Sequence, residues 1–196
     1  MNKEILISTA VGAFIGSSIT LIATIISHHL QVSERKKTEE SVIHGFLQGI
    51  HDEIETLWDL YLKGIGNKLE SLEEGKGLEC YYPVTQEYFT FYMANAYLVG
   101  KVKDHDLRKN IVSVYAKAKG LLDSYRMNNE VLNKLEHSAL VYQSSKISTD
   151  RSNMLAYQQS LITYASSLRE YHNDLKVLIQ NLLRALRKQG VLNKNV

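Results

Sequence analysis

The stretch TDRSNMLAYQQSLITYASSLREYHNDLKVLIQNLLRALRKQG, residues 149–190, decides the fold class. Within it Leu161, Ala165, Leu168, His172, Leu175, Ile179, Leu182 and Leu186 succeed one another at alternating steps of four and three. That spacing lays them along one stripe of a helix, in the heptad register of coiled-coil packing. Thr149-Asp150 suits the helix start, and Gly190, free to take a left-handed backbone, suits the C-cap. A helix this long with one apolar stripe requires partners. A bundle within the same chain supplies them, or a second copy does so across a supercoiled dimer seam.

Working towards the N-terminus, Asp104 to Leu135 reads as another long helix, with Leu107, Ile111, Val114, Ala118, Leu121, Leu122 and Tyr125 in register. Ser138 to Ser148 is polar and serine-containing and reads as a connector. Thr38 to Leu62 is amphipathic: Ile43, Phe46, Leu47, Ile50, Ile54, Leu57, Trp58 and Tyr61 recur at three- and four-residue steps, while His51, Asp52, Glu53 and Glu55 fall mostly opposite. Gly64, Gly66, Gly75 and Gly77 mark a loop that ends at Pro83, the only proline. Val84 to Glu87 suits a helix entry into the aromatic run Tyr88 to Val99. Only 13 residues separate Glu87 from Lys101. Apolar runs of roughly 10–14 residues are more often buried core helices than membrane spans. The run therefore reads as the central core helix, with a second span or an aromatic ligand pocket as competing readings.

The N-terminus has a different character. From Ile5 to Ser27 there are 23 residues without a charge, long enough as a helix (roughly 35 Å) to cross a hydrocarbon core of about 30 Å. A secretory signal peptide is the rival, but its apolar region is shorter, roughly 7–15 residues, and is followed by a small-x-small cleavage site. Lys3 is the only basic residue before the segment, whereas Arg35, Lys36 and Lys37 come after it, which places the C-terminal side in the cytoplasm. The expected organisation is a short tail at 1–4, a transmembrane helix at 5–27, a basic juxtamembrane linker or helix continuation at 28–40, and a cytoplasmic helical bundle at 41–192. No breaker lies between Ser27 and Glu40, so the span is expected to run on into the next helix. The fold class is thus all-α: one N-terminal transmembrane helix, then a cytoplasmic helical bundle with a long heptad-like C-terminal helix.

Ser8, Gly12, Gly16, Thr20 and Thr24 recur every four residues along one face of that span. Small residues let two backbones approach, and hydroxyls bond across the contact, so the face is a candidate helix-packing seam between copies of the chain. The lining of a pore, or the ordinary abundance of Gly, Ser and Thr in membrane helices, accounts for the same pattern.

The net charge of +2 over 196 residues comes from well-mixed signs, and no direct nucleic-acid binding is expected. The single cysteine, Cys80, rules out an intrachain disulfide and suits a reducing compartment. There is no P-loop, no GxSxG, no HExxH and no paired CxxC, and the expectation is a protein without catalytic, cofactor-binding or metal-binding residues. Asp104-His105-Asp106 has metal-ligand residue types, yet neighbours on a helix point apart and acidic residues suit a helix N-terminus. His172 on the apolar stripe reads as a hydrogen-bonded core histidine, with a pH switch as the sharper alternative.

Three stretches carry a likeness: HGFLQGIHDEIETLW at 44–58, YYPVTQEYF at 81–89, and DHDLRK at 104–109 continuing to YRMNN at 125–129. Together they resemble the small bacterial transmembrane effectors that accompany retron reverse transcriptases in anti-phage defence. The likeness spans whole segments of residues 44–129 and contains no catalytic signature, so no functional residue is carried over. It implies an inner-membrane toxin held in check by a reverse transcriptase and its RNA–DNA product, whose release permeabilises the membrane and aborts infection. It also implies two membrane spans, where the residues here read as one span and one aromatic core helix. A membrane-tethered scaffold or signalling adaptor is the competing function.

Overall fold

The computed structural model describes the backbone of residues 3–84 and 87–191, and side chains within that range from Thr20 onward. Every regular element among the described residues is helical: α1 (Lys3–Tyr61), a π turn (Leu62–Gly66), α2 (Asn67–Glu70), α3 (Thr90–Asn95), a 3-10 turn (Ala96–Lys101), α4 (His105–Ser145) and α5 (Ser148–Lys188). The chain divides into two compact units, Met1–Gly45 and Phe46–Val196.

In the first unit the backbone is helical from Lys3. Ser8, Gly12 and Gly16, with most of the 5–27 segment, lie outside the residues whose side chains are described. Among the described residues no helix is long and apolar enough to cross a membrane.

The second unit is built on the antiparallel hairpin of α4 and α5, against which the C-terminal part of α1 packs. The stripe read from the heptad spacing is the buried face of α5: Leu161, Ala165, Leu168, His172, Leu175, Ile179, Leu182 and Leu186. On α4, Leu107, Ile111, Val114, Ala118, Leu121 and Tyr125 are buried as expected, and Leu122 is half-buried. Asp104 caps α4, its Oδ1 accepting the Leu107 N–H at 3.0 Å. That satisfies one of the donors a helix start leaves orphaned. Gly190 takes φ +76 just past α5, in the left-handed region that only glycine enters without steric cost. From α1, Phe46, Leu47, Ile50, Ile54 and Tyr61 enter the core. His51 does so too, against the expectation that it faces away.

Three readings of the sequence need correction. Ser138 to Ser148 is not a connector, because α4 continues to Ser145 and only Lys146 and Ile147 make the turn. Lys146, at φ 56, closes α4 by donating its N–H to the Tyr142 carbonyl at 2.9 Å. Serines survive here because their hydroxyls bond back to the helix, as Ser144 does to the Leu140 carbonyl at 3.1 Å.

The run Tyr88 to Val99 is likewise not the central core helix. Phe89 adopts a left-handed backbone (φ 67, ψ 37), α3 is six residues long with no buried side chain, and the chain tightens into the 3-10 turn after it. The run is apolar without a 3.6-residue period, and so offers no single stripe to bury. Nor is the glycine-marked segment from Gly64 to Pro83 all loop, since helix persists to Glu70.

The remaining loop is pinned by side chains. Asn129 bonds both backbone groups of Tyr82, at 3.2 and 2.7 Å. Arg169 donates to the Leu72 carbonyl at 2.8 Å, and Asn128 to that of Leu78 at 3.1 Å.

Candidate functional site

His172 sits on the α5 stripe where the heptad calls for an apolar residue, and it is 0% exposed. A buried imidazole needs partners for both nitrogens. Its Nδ1 lies 2.8 Å from the Tyr61 hydroxyl, and its Nε2 lies 2.8 Å from Glu70 Oε1. Because an ionised carboxylate only accepts, Nε2 carries a hydrogen. With a neutral imidazole, Tyr61 donates to Nδ1, and Tyr125, 3.1 Å away, donates to the Tyr61 oxygen. Lys176, one turn beyond His172, donates to the same Glu70 oxygen at 2.7 Å. The Trp58 ring packs 5.4 Å from the imidazole, and Tyr82 lies 5.0 Å from Tyr125. One polar chain thus links α1, α2, α4 and α5.

The π turn brings Glu70 into this chain. Residues nine apart on an uninterrupted α-helix, such as Tyr61 and Glu70, point about 180° apart. A π turn inserts roughly one extra residue, rotating the residues after it by about 100° towards the earlier face. Gly66, buried in that turn, lets it form beside the aromatic ring: a Cβ there would stand 3.0 Å from both Tyr61 Cε1 and Leu62 Cδ2.

The electrostatics match a structural pin. Burial pushes the Tyr61 phenol up to about 12, partly offset by its bond with Tyr125. Burial raises Tyr125 further still. Both therefore hold their protons at neutral pH and act as donors, not as nucleophiles. The Lys176 ammonium, and after it His172, hold the Glu70 carboxyl below the usual range. Beside Tyr61 lies an apolar cavity of about 50 Å³, bordered by Ile54, Trp58, Phe89, Leu121 and Leu175. That is small against the roughly 300 Å³ at which small-molecule sites begin. The lining hydroxyl of Tyr61 is already engaged by Tyr125 and His172.

The other candidate residues stand apart from this network. Thr20 and Thr24 are exposed one turn apart on α1, and the Thr24 hydroxyl donates to the Thr20 carbonyl at 2.8 Å. Asp104 is engaged as the α4 cap and accepts from Gln189 Nε2 at 3.1 Å, so its carboxylate is already used. Cys80 is a free, half-buried thiol. Sequence reasoning found His172 through its heptad position and Tyr61 through the α1 stripe. It missed Glu70, which gave no signal inside a glycine-marked segment.

Neither a scan against protein-family models nor searches of curated proteins and of solved structures find a match to this chain.

Proposed function

We propose that this protein is a membrane-anchored, non-enzymatic effector of bacterial anti-phage defence, of the kind that accompanies retrons, which compromises the inner membrane when a partner releases it. One observation carries the membrane part of the reading. Leu21, Ile22, Ile25, Ile26 and Leu30, on the described part of α1, are 52% to 65% exposed. Large apolar side chains placed around a helix and open to water lose the stabilisation of burial, roughly 25 cal/mol per Å², and mark a lipid or protein contact. In the sequence, residues 5–27 carry no charge, and the basic flank at 35–37 orients the segment with the bundle in the cytoplasm. The retron part rests on the resemblance of residues 44–129. The reverse transcriptase and its RNA–DNA product are the implied inhibitor, and other copies of this chain, meeting along Ser8, Gly12, Gly16, Thr20 and Thr24, are the partners in assembly. An inhibitor works here by binding the separated state more tightly than the assembled one.

The test is to induce the protein alone in a bacterial host and follow membrane potential with a voltage-sensitive dye. Depolarisation and growth arrest are expected, and Gly12→Leu or Gly16→Leu abolishes both while the protein stays in the membrane fraction. A chain recovered in the membrane fraction that leaves the potential unchanged sinks the reading of an effector active when freed of its partner. A chain absent from that fraction sinks the anchor itself.

A scaffold or adaptor reading has its own observation. Leu140, Ile147 and Leu155 are exposed around the turn end of the α4–α5 hairpin, as a partner-recruiting tip requires.

A further inference from the structure

We infer that Phe89–Tyr97 is a flap that opens from the bundle as a unit, latched by the Glu53 carboxylate and seated by Phe91 on Gly49. The chain is fixed on either side of it. Before it, both backbone groups of Tyr82 are bonded to Asn129. After it, Leu98, Val99 and Val102 are buried, and Arg108 bonds the Val102 carbonyl at 2.7 Å. Between these anchors α3 contributes no buried side chain, and the flap's one buried side chain is Phe89 just before it.

The hydrogen bonds that hold the flap to α1 converge on one carboxylate. Glu53, on α1, accepts the Phe91 N–H at 2.7 Å with Oε1, and the Tyr92 N–H at 3.1 Å with Oε2. The same Oε2 accepts the Tyr115 hydroxyl at 2.7 Å. The two N–H groups are orphan donors of the first turn of α3, which lacks a capping side chain of its own. Aromatic seats complete the contact: the buried Phe89 ring stands edge-on to Tyr115 with centroids 5.3 Å apart, and Phe91 stacks on Phe46 at 6.2 Å. The Tyr92 ring stacks on Tyr115 with centroids 3.8 Å apart. The Phe91 ring covers Gly49 so closely that a Cβ there would lie 2.0 Å from its Cζ.

Two features favour release once the latch is weakened. A six-residue helix does not sustain itself in water, so α3 exists because it is docked. Phe89 is held in the left-handed region, which a bulky side chain disfavours, and opening relieves it. Tyr88 and Phe89 also border the apolar cavity of about 50 Å³, so opening exposes it to whatever lies outside.

The test is amide hydrogen exchange on the full-length protein. In the wild type, amides of 91–97 are expected to exchange together and at least about tenfold faster than the buried-face amides of α4 and α5, the signature of a sub-global opening. Glu53→Gln replaces one accepting oxygen with a donor and raises flap exchange about tenfold further, leaving α4 and α5 unchanged. Gly49→Ala does the same but has no added effect in a Phe91→Ala background, because the ring it displaces is gone. Flap amides that exchange only at the rate of α4 and α5 overturn the inference, as does a folded Glu53→Gln protein that exchanges like the wild type. Should either variant fail to fold, the wild-type comparison decides alone.

Discussion

Position 172 shows how one side chain both obeys and departs from its element. The heptad makes it a core site, and the residue there is titratable, so its burial depends on the partners at both nitrogens. Replacing it separates packing from hydrogen bonding. His172→Ala leaves a void and loses both bonds, an expected cost of about 3 kcal/mol in urea unfolding. His172→Leu fills the space, while Tyr61 keeps Tyr125 and Glu70 keeps Lys176, so about 1 kcal/mol is expected. Equal losses for the two would show that the bonds, not the packing, dominate.

The same network produces two pH effects. Tyr61 ionises near 10 when unfolded and near 12 when folded. Between those values the unfolded chain sheds a proton that the folded one keeps, so stability falls as pH rises through that window. Tyr61→Phe should flatten this alkaline decline in a thermal-melt series. Glu70 has the opposite sign. Its folded value is lowered, so its contribution is full above about 4.5 and fades as pH drops through the lowered value. Lys176→Met should make that acid-side loss shallower.

Among the elements, the π turn between α1 and α2 has the largest consequence, since it turns Glu70 towards His172. Alanine ordinarily favours a helix over glycine by up to about 1 kcal/mol. At Gly66 the added methyl presses on the Tyr61 ring, which two hydrogen bonds hold in place. Gly66→Ala is therefore expected to destabilise by about 1 kcal/mol, whereas a gain on melting would mean that the ring yields freely. The start of α4 carries a second element-level prediction. Asp104→Ala removes a cap and the contact with Gln189, and should cost about 1–2 kcal/mol in urea unfolding.

Two of the misread segments have separate causes. Ser138 to Ser148 looks like a loop because serine competes with helix in isolation, but long-helix context lets the hydroxyls bond to their own carbonyls. Tyr88 to Val99 looks like a core helix because it is apolar. Its docking is decided by residues distant in sequence, Gly49, Glu53 and Tyr115, and no local periodicity encodes them.

Under the proposed function, the question for the molecule as a whole is whether residues 1–30 only hold the bundle at a membrane or themselves act there. The effector reading predicts that replacing 1–30 with an unrelated single-span anchor abolishes depolarisation, even though the chimaera still fractionates with membranes. The scaffold reading predicts that partner recruitment survives the replacement, because the exposed Leu140, Ile147 and Leu155 are untouched. Dye fluorescence and co-purification, measured on the same chimaera, separate the two.

By itself the sequence determined the helical class and the buried faces of α4 and α5. Those rest on a repeat in which each residue's role is set by its neighbours three and four positions away. The acidic helix start at Asp104 and the stop at Gly190 were readable for the same reason, since a helix end is satisfied locally. Tertiary structure alone decided that Glu70 meets His172, that Glu53 holds α3, and that Phe91 lies on Gly49. Each is a contact between residues far apart in the chain, made where a π turn, a left-handed residue or a missing side chain breaks the local rule.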